Sequence, residues 1–346
     1  MRKRPALIGS ALIAAIPLFL AACGSSNNAA NSSGKALVLG YSEPFLFSDY
    51  ETAQQNATTA VAKAAGFKVL PATNANGDSG KQNSDIRSLI SSGATGLIVV
   101  ANDSKAIIPA LDYAQSKGVP VVSIDIGPDG GHLAMIVRAD NIGMGEIACT
   151  DMAKALGDKG KVLSLQGAQT SINGRERTQG FADCMKQKHP GITLIERPTD
   201  WDAQKQVAAL QTVLTANPDL GGVFQQADYA LAATLAVESQ LGHGAKVGQP
   251  GHIYNVSIDA TPQGLGLVRS GVMDAEISQP VNLYAKYGIQ YLKMAIQGQS
   301  LPGAGTTDHN TKVVLFNGNA MDLMPATLVT AANVDDKSLW ANTLPK

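Results

Sequence analysis

Residues 96–125 read GLIVVANDSKAIIPALDYAQSKGVPVVSID, and this stretch decides the fold. Two apolar runs, LIVV and VPVVSI, flank an amphipathic segment, and each run ends on polar residues: Asn102-Asp103-Ser104 after the first, Asp125 after the second. Short runs that are apolar throughout, rather than alternating, fit strands covered on both faces. A strand, a helix and a second strand in that order give a parallel pair with the helix packed on the sheet.

The same unit recurs along the chain. Further strand candidates lie at 36–41, 67–71, 132–137, 161–166, 192–197, 221–225, 253–258 and 272–278. Helical stretches separate most of them. Residues 49–65 place Tyr50, Ala53, Ala57, Ala60, Val61 and Ala64 on one face, and 203–214 do the same with Val207, Leu210, Val213 and Leu214. About ten strands are too many for one compact sheet, so the expected fold is α/β with two doubly wound parallel-sheet lobes. The tail, 325–346, is less regular.

Composition narrows the function. The chain has 346 residues, 45% hydrophobic and 16% charged, with a formal net charge of -1. That supplies apolar material for two cores and no general attraction to nucleic acid or anionic lipid. G-x-G-x-x-G after the first strand, the P-loop, G-x-S-x-G and H-E-x-x-H are all missing from the sequence, and the five His residues are scattered. No enzyme, cofactor or metal site is expected.

The N-terminus carries an address. Arg2, Lys3 and Arg4 precede an apolar run from 6 to 22 that is short for a membrane span and interrupted by Pro17. Leu20-Ala21-Ala22-Cys23 closes it and resembles a lipoprotein signal. The resemblance implies lipidation of Cys23, cleavage after residue 22, and a protein that works outside the cytoplasm, anchored to a membrane. Residues 23–35, small and polar, read as a flexible tether. With Cys23 set aside, Cys149 and Cys184 remain, either as a disulfide or as two buried thiols.

Ligands of open parallel sheets bind beyond the carboxyl ends of the strands. Here those ends carry Ser42-Glu43-Pro44-Phe45, Asn102-Asp103-Ser104, Asp125, Gln166-Gly167, Asp200-Trp201-Asp202, Gln225-Gln226-Ala227-Asp228, Asp259-Ala260-Thr261 and Gln279-Pro280. Some are ordinary helix caps: Ser48 or Asp49, Ser104, Asp202, Asp228 and Thr261 suit that role. Capping does not account for Phe45, Arg175, Trp201 or Gln279.

Taken with EPF (43–45), ADNIGMGEIA (139–148), GRERTQGF (174–181), ANPDLGGVFQQAD (216–228), VSIDATPQG (256–264) and AEISQP (275–280), residues 36 to 317 resemble the ribose-type periplasmic sugar-binding proteins that serve ABC importers. The resemblance implies two lobes joined by three crossovers, here 36–139 plus 280–308 and 140–279 plus 309–346, with one sugar between them. It implies that Phe45 and Trp201 stack on the sugar and that Asp125, Arg175, Asp259 and Gln279 bind hydroxyls. Glu43 replaces a usual Asn, Asn102 or Asp103 stands in for another, and Ala227 occupies the place of a third. Ile126 follows Asp125 where the family has Arg. These departures leave ribose itself less well matched, and a sugar alcohol, deoxy sugar or other small polyol fits as well. The expected partners are a monosaccharide or polyol, an ABC permease and the membrane, with no nucleic acid, for a monomeric protein. A sensory binding protein presenting a sugar-like signal, of the autoinducer type, to a chemoreceptor or sensor kinase shares every one of these features. A lactose-repressor-like regulator would need a helix-turn-helix where the export signal stands.

Overall fold

The computed structural model describes residues 36–344. The signal segment, Cys23 and the tether lie outside the described residues. The chain starts in one sheet with β1 (Val38–Glu43), α1 (Asp49–Ala64), β2 (Lys68–Val69), β3 (Thr73–Asn74), α2 (Ser79–Ser91), β4 (Gly96–Val99), α3 (Ile108–Ser116), β5 (Val121–Ile124) and β6 (Met135–Ala139). It then crosses to a second sheet. There it runs α4 (Asn141–Leu156), β7 (Gly160–Gln166), α5 (Ile172–Lys188), β8 (Ile192–Pro198), α6 (Ala203–Ala216) and β9 (Leu220–Gln225). α7 (Leu231–Gln240), β10 (Tyr254–Asp259), α8 (Pro262–Arg269) and β11 (Ala275–Ser278) complete that passage. A second crossover returns it to the first sheet as α9 (Val281–Ile296), β12 (Gly305–Thr306), β13 (Lys312–Phe316) and β14 (Asn319–Met324). A third crossover, after Met324, leads to β15 (Thr327–Val329) in the second sheet.

The first sheet runs β12-β13-β14-β6-β5-β4-β1-β2, with β3 also on β1, and the second runs β15-β11-β10-β9-β7-β8. All pairings among β1 to β11, and that of β14 with β6, are parallel; β12–β13, β13–β14 and β11–β15 are antiparallel. Two α/β lobes with mainly parallel sheets are therefore present, as the apolar runs require. In each, strand order reverses beside the first strand, β1 or β7, which opens a crevice at its carboxyl end.

One lobe boundary needs correction. Residues 309–346 were expected in the second lobe, yet β13 and β14 extend the first sheet, with Met321 opposite Ile136 and Leu323 opposite Arg138. Val313, Met321 and Met324 are buried there. The hairpin is set by Asn317-Gly318, both at positive φ (47° and 82°), as a two-residue turn demands. The rest of the tail packs on α8, where Arg269 bonds Asp335, and reaches across the hinge with Trp340.

Helix α1 also differs in detail. Ala60 and Ala64 are exposed, while Gln54 and Thr58 are buried. The buried face is thus turned from the expected one and includes two polar side chains beside Ala53 and Ala62.

Helices α4 and α5 touch through glycine. A Cβ at Gly145 would overlap the Arg177 carbonyl and the Phe181 amide, and one at Gly180 would overlap the Ile142 carbonyl. The approach brings Cys149 and Cys184 to bonding distance, with Cα atoms 6.2 Å apart, inside the usual disulfide range. Among the described residues, no helix is long and apolar enough to cross a membrane.

The cysteine geometry makes a prediction. In the unreduced, denatured protein, thiol reagents leave Cys149 and Cys184 unlabelled. Replacing both with Ala costs about 3–4 kcal/mol in a urea melt, the loop entropy of a link spanning 35 residues. Two labelled thiols would contradict the bridge.

Candidate functional site

The carboxyl ends of both sheets face one cleft lined by residues of both lobes, the place where open parallel sheets bind small molecules. Backbone strain collects there. Asp125 (φ 58°), Asp200 (φ 55°), Trp201 (φ 58°), Asp259 (φ 125°) and Ala260 (φ 54°) all sit at strand ends in conformations that side chains disfavour. Each such residue costs of order 1–3 kcal/mol, and sites that bind ligands are where this is tolerated.

The aromatic wall comes from both lobes. Phe45 and Phe47 follow β1 and stack with ring centres 4.4 Å apart. Phe47 meets Tyr229 edge-on at 5.7 Å, and Tyr229 meets Trp201 edge-on at 6.3 Å. Trp201 lies flat on the backbone of Gly167; any Cβ there would overlap the indole. Its Nε1 is buried with no hydrogen-bond partner among the described residues.

The polar floor is organised by Arg177 on α5, which is 2% exposed. Its Nε donates to Asn141 Oδ1 (2.8 Å) and its Nη1 to the Gln226 carbonyl (2.6 Å). Its Nη2 is buried without a protein partner among the described residues. Asp125, just after β5, accepts from Asn173 Nδ2 at 2.8 Å, a bond that joins the lobes. Asp259, at the end of β10, accepts from Gln279 Nε2 (2.8 Å) and from the Asp228 amide (3.2 Å). Gln279 Oε1 in turn accepts from Tyr284, whose hydroxyl accepts from the Ala139 amide. Two of the three crossovers are thereby tied to the cleft.

Burial raises the pKa of Asp125, and Arg177 partly offsets it. Asp259 is pushed further up, by burial and then by the adjacent Asp228 carboxylate, with Arg177 again opposing. Glu51, in the first turn of α1, keeps a sliver of solvent contact while protein surrounds it on nearly every side. Burial carries it up to about 7 against the hydrogen bond from Ser48.

Of the residues singled out in the sequence, Phe45, Asp125, Trp201, Ala227, Asp259 and Gln279 line the cleft. Three do not. Glu43 is fully buried on the α1 side of β1, where strand alternation turns it away, and burial raises its pKa well above the usual range. Asn102 ties its loop to the start of α2, donating to the Gly77 carbonyl and to Ser79 Oγ. It faces a wider groove outside the cleft. Arg175 pairs with Asp129 instead. On a helix, residues two apart point about 200° apart, so Arg175 and Arg177 cannot share a face.

Sequence reasoning missed Phe47, Tyr50, Glu51, Asn173, Arg177 and Tyr229, which also line the cleft. A signal for two of them was present. Asn173, Arg177, Phe181 and Cys184 recur at helical spacing and form the buried face of α5. The expected caps divide similarly. Ser48, Asp202 and Thr261 cap α1, α6 and α8. Ser104 accepts from the Ile172 amide across the lobes, and Asp228 accepts from Ser257 and Thr261.

A sequence profile described as "Periplasmic binding protein domain" matches residues 40–300. The ribose import binding protein of Bacillus subtilis is 29% identical over 77% of this chain and 84% of its own length. The xylitol-binding protein of Mycolicibacterium smegmatis is 28% identical over 74% of this chain and 71% of its own. Among solved structures, an ABC transporter solute-binding protein from Mycobacterium smegmatis with bound glycerol superposes with a TM-score of 0.75. It is 27% identical and covers 87% of this chain and 96% of that one.

The buried carboxyls predict how stability follows pH. Burial raises both Glu51 and Glu238 to about 7. A carboxyl whose folded pKa lies above its unfolded value takes up a proton on folding. Its stabilisation is present at low pH and lost as pH rises from about 4.5 through 7, by as much as about 1.4 kcal/mol per unit for each group. The melting temperature of the ligand-free protein should fall between pH 5 and pH 8, and less so in Glu238→Gln. A melting temperature that is flat or rising across that range contradicts the assignment.

Proposed function

Because the chain belongs to the periplasmic binding protein family, with residues 40–300 matching it, we propose that it captures a neutral monosaccharide or small polyol outside the cytoplasm and delivers it to an ABC-type sugar importer. One observation carries this reading. Two buried donors, Arg177 Nη2 and Trp201 Nε1, lack protein partners among the described residues and lie in the lining of a cleft that also presents buried carboxyls. A buried donor left unpaired costs about 1–3 kcal/mol, and a ligand hydroxyl removes that cost.

The rest of the lining suits the same class. A sugar or polyol has apolar C–H faces and a polar rim. Phe45 and Trp201 would cover the faces, while Asp125, Asn173, Arg177, Asp259 and Gln279 would take the rim. Arg177 is the single cation among the described residues of the lining, and two of its nitrogens are already bonded within the protein, which disfavours phosphorylated or acidic sugars. Ile126 and Ala227 supply no hydrogen-bonding side chain where the family has donors. We therefore favour a small polyol or deoxy sugar over ribose, in keeping with the xylitol-binding and glycerol-bound relatives.

Capture would proceed by hinge closure. Each lobe offers a half-site: Phe45 and Asp125 on one, Arg177, Trp201 and Asp259 on the other. A ligand that touches both stabilises the closed form by its differential affinity, and that form would then dock on the permease. A lipid on Cys23, with residues 23–35 as tether, would keep the protein near its importer without fixing its orientation.

A thermal-shift screen over pentoses, hexoses and polyols tests the class. At least one neutral member should raise the melting temperature in a dose-dependent way. In Trp201→Ala, calorimetry with that compound should show binding at least about tenfold weaker. Silence across the panel, or unchanged affinity in the variant, contradicts the reading.

A further inference from the structure

The lobes are also joined along a seam that none of the cleft's ligand-facing groups occupies. Arg175, on α5 of the second lobe, donates from Nη2 to both oxygens of Asp129 in the first lobe, at 2.6 and 2.7 Å. Both partners are held in place beforehand. The Asp129 amide donates to the Ser104 carbonyl (2.7 Å), and the Asp129 carbonyl accepts from Asn317 in the β13–β14 turn (2.8 Å). Arg175 Nη1 donates to the Gln169 carbonyl (3.1 Å).

Beside this pair the seam is closed by Ser104, through its amide and its hydroxyl. The Ser104 amide donates to the Thr170 carbonyl (3.1 Å), and the Ile172 amide donates to Ser104 Oγ (2.9 Å). Ser104, Asp129 and Arg175 are not among the residues lining the cleft. Exposed ion pairs usually contribute little, chiefly because two free side chains must be ordered. Here the carboxylate and the guanidinium are pre-positioned, the carboxylate is 15% exposed and the guanidinium side chain 34%. That arrangement lowers the ordering cost.

We propose that Asp129 and Arg175 form a latch that stabilises the closed arrangement of the lobes without touching the ligand. They are positioning residues: they act by raising the population of the form whose half-sites face each other. The proposal rests on the reading of this protein as a binder that closes on its ligand. Its test needs no sugar, so the latch can fail while sugar binding stands, and the reverse.

The test is amide hydrogen exchange on the full, ligand-free chain, with the Ser104 and Ile172 amides as reporters of the seam. In the wild type both should be protected. Asp129→Asn and Arg175→Gln should each speed their exchange by about tenfold, while amides within β9 keep their wild-type rates. The double variant should be no faster than either single one, because the two changes remove one interaction. Unprotected reporters in the wild type overturn the latch. So do unchanged rates in both single variants, equal acceleration throughout β9, or additive effects in the double variant.

Discussion

Burying the Arg177 guanidinium is the constraint from which the rest of the site follows. A buried cation is tolerated only when it is hydrogen-bonded and faces opposite charge. Asn141, at the first crossover, and the Gln226 carbonyl, at the end of β9, supply the bonds. The opposite charge comes from Asp125 in one lobe and Asp259 in the other, whose raised pKa values Arg177 holds down. The guanidinium sits 5.9 Å from the Trp201 ring centre. It reaches this place because α4 and α5 approach through Gly145 and Gly180, and larger residues would push α5 and its arginine away from the hinge.

The surroundings are costly to fold. Asp228, Asp259 and Glu276 crowd behind the second half-site, and burial raises the pKa of each. Trp201 and Ala260 hold left-handed backbone without the tolerance of glycine. Trp340, from the tail, donates to the Asp259 carbonyl at 2.8 Å and meets Tyr50 of the other lobe edge-on. The strained peptide at Asp259 is thus braced from behind by a residue far along the chain. Such strain and desolvation are what a pre-organised site requires, since groups already ordered need not be ordered again on binding.

Much of the fold was legible because strands covered on both faces read as unbroken apolar runs, as in LIVV and VPVVSI. The β13–β14 hairpin was not, because its face is only partly buried and Leu315 is 71% exposed. The Asn317-Gly318 turn was its one clear mark, and with it went the true position of the third crossover. Strand-end logic placed Phe45, Asp125, Trp201, Asp259 and Gln279 at the cleft, whose lining includes all five, since a residue at a carboxyl end faces the crevice almost regardless of detail. It failed where facing depends on phase. Glu43 lies on the wrong side of a strand, and Arg175 on the wrong side of a helix. Asn102 failed for a third reason: a loop amide is taken up by its own neighbours.

The two arginines of GRERTQGF allow the central claim to be tested in one comparison. Calorimetric titration of Arg177→Gln and Arg175→Gln with the tightest-binding compound of the sugar and polyol panel separates a ligand contact from a seam contact. Arg177→Gln should weaken binding at least about a hundredfold, near 2.7 kcal/mol, and Arg175→Gln less than about tenfold. The reverse order, or equal losses, would contradict the assignment of Arg177 as the buried charge that organises the site.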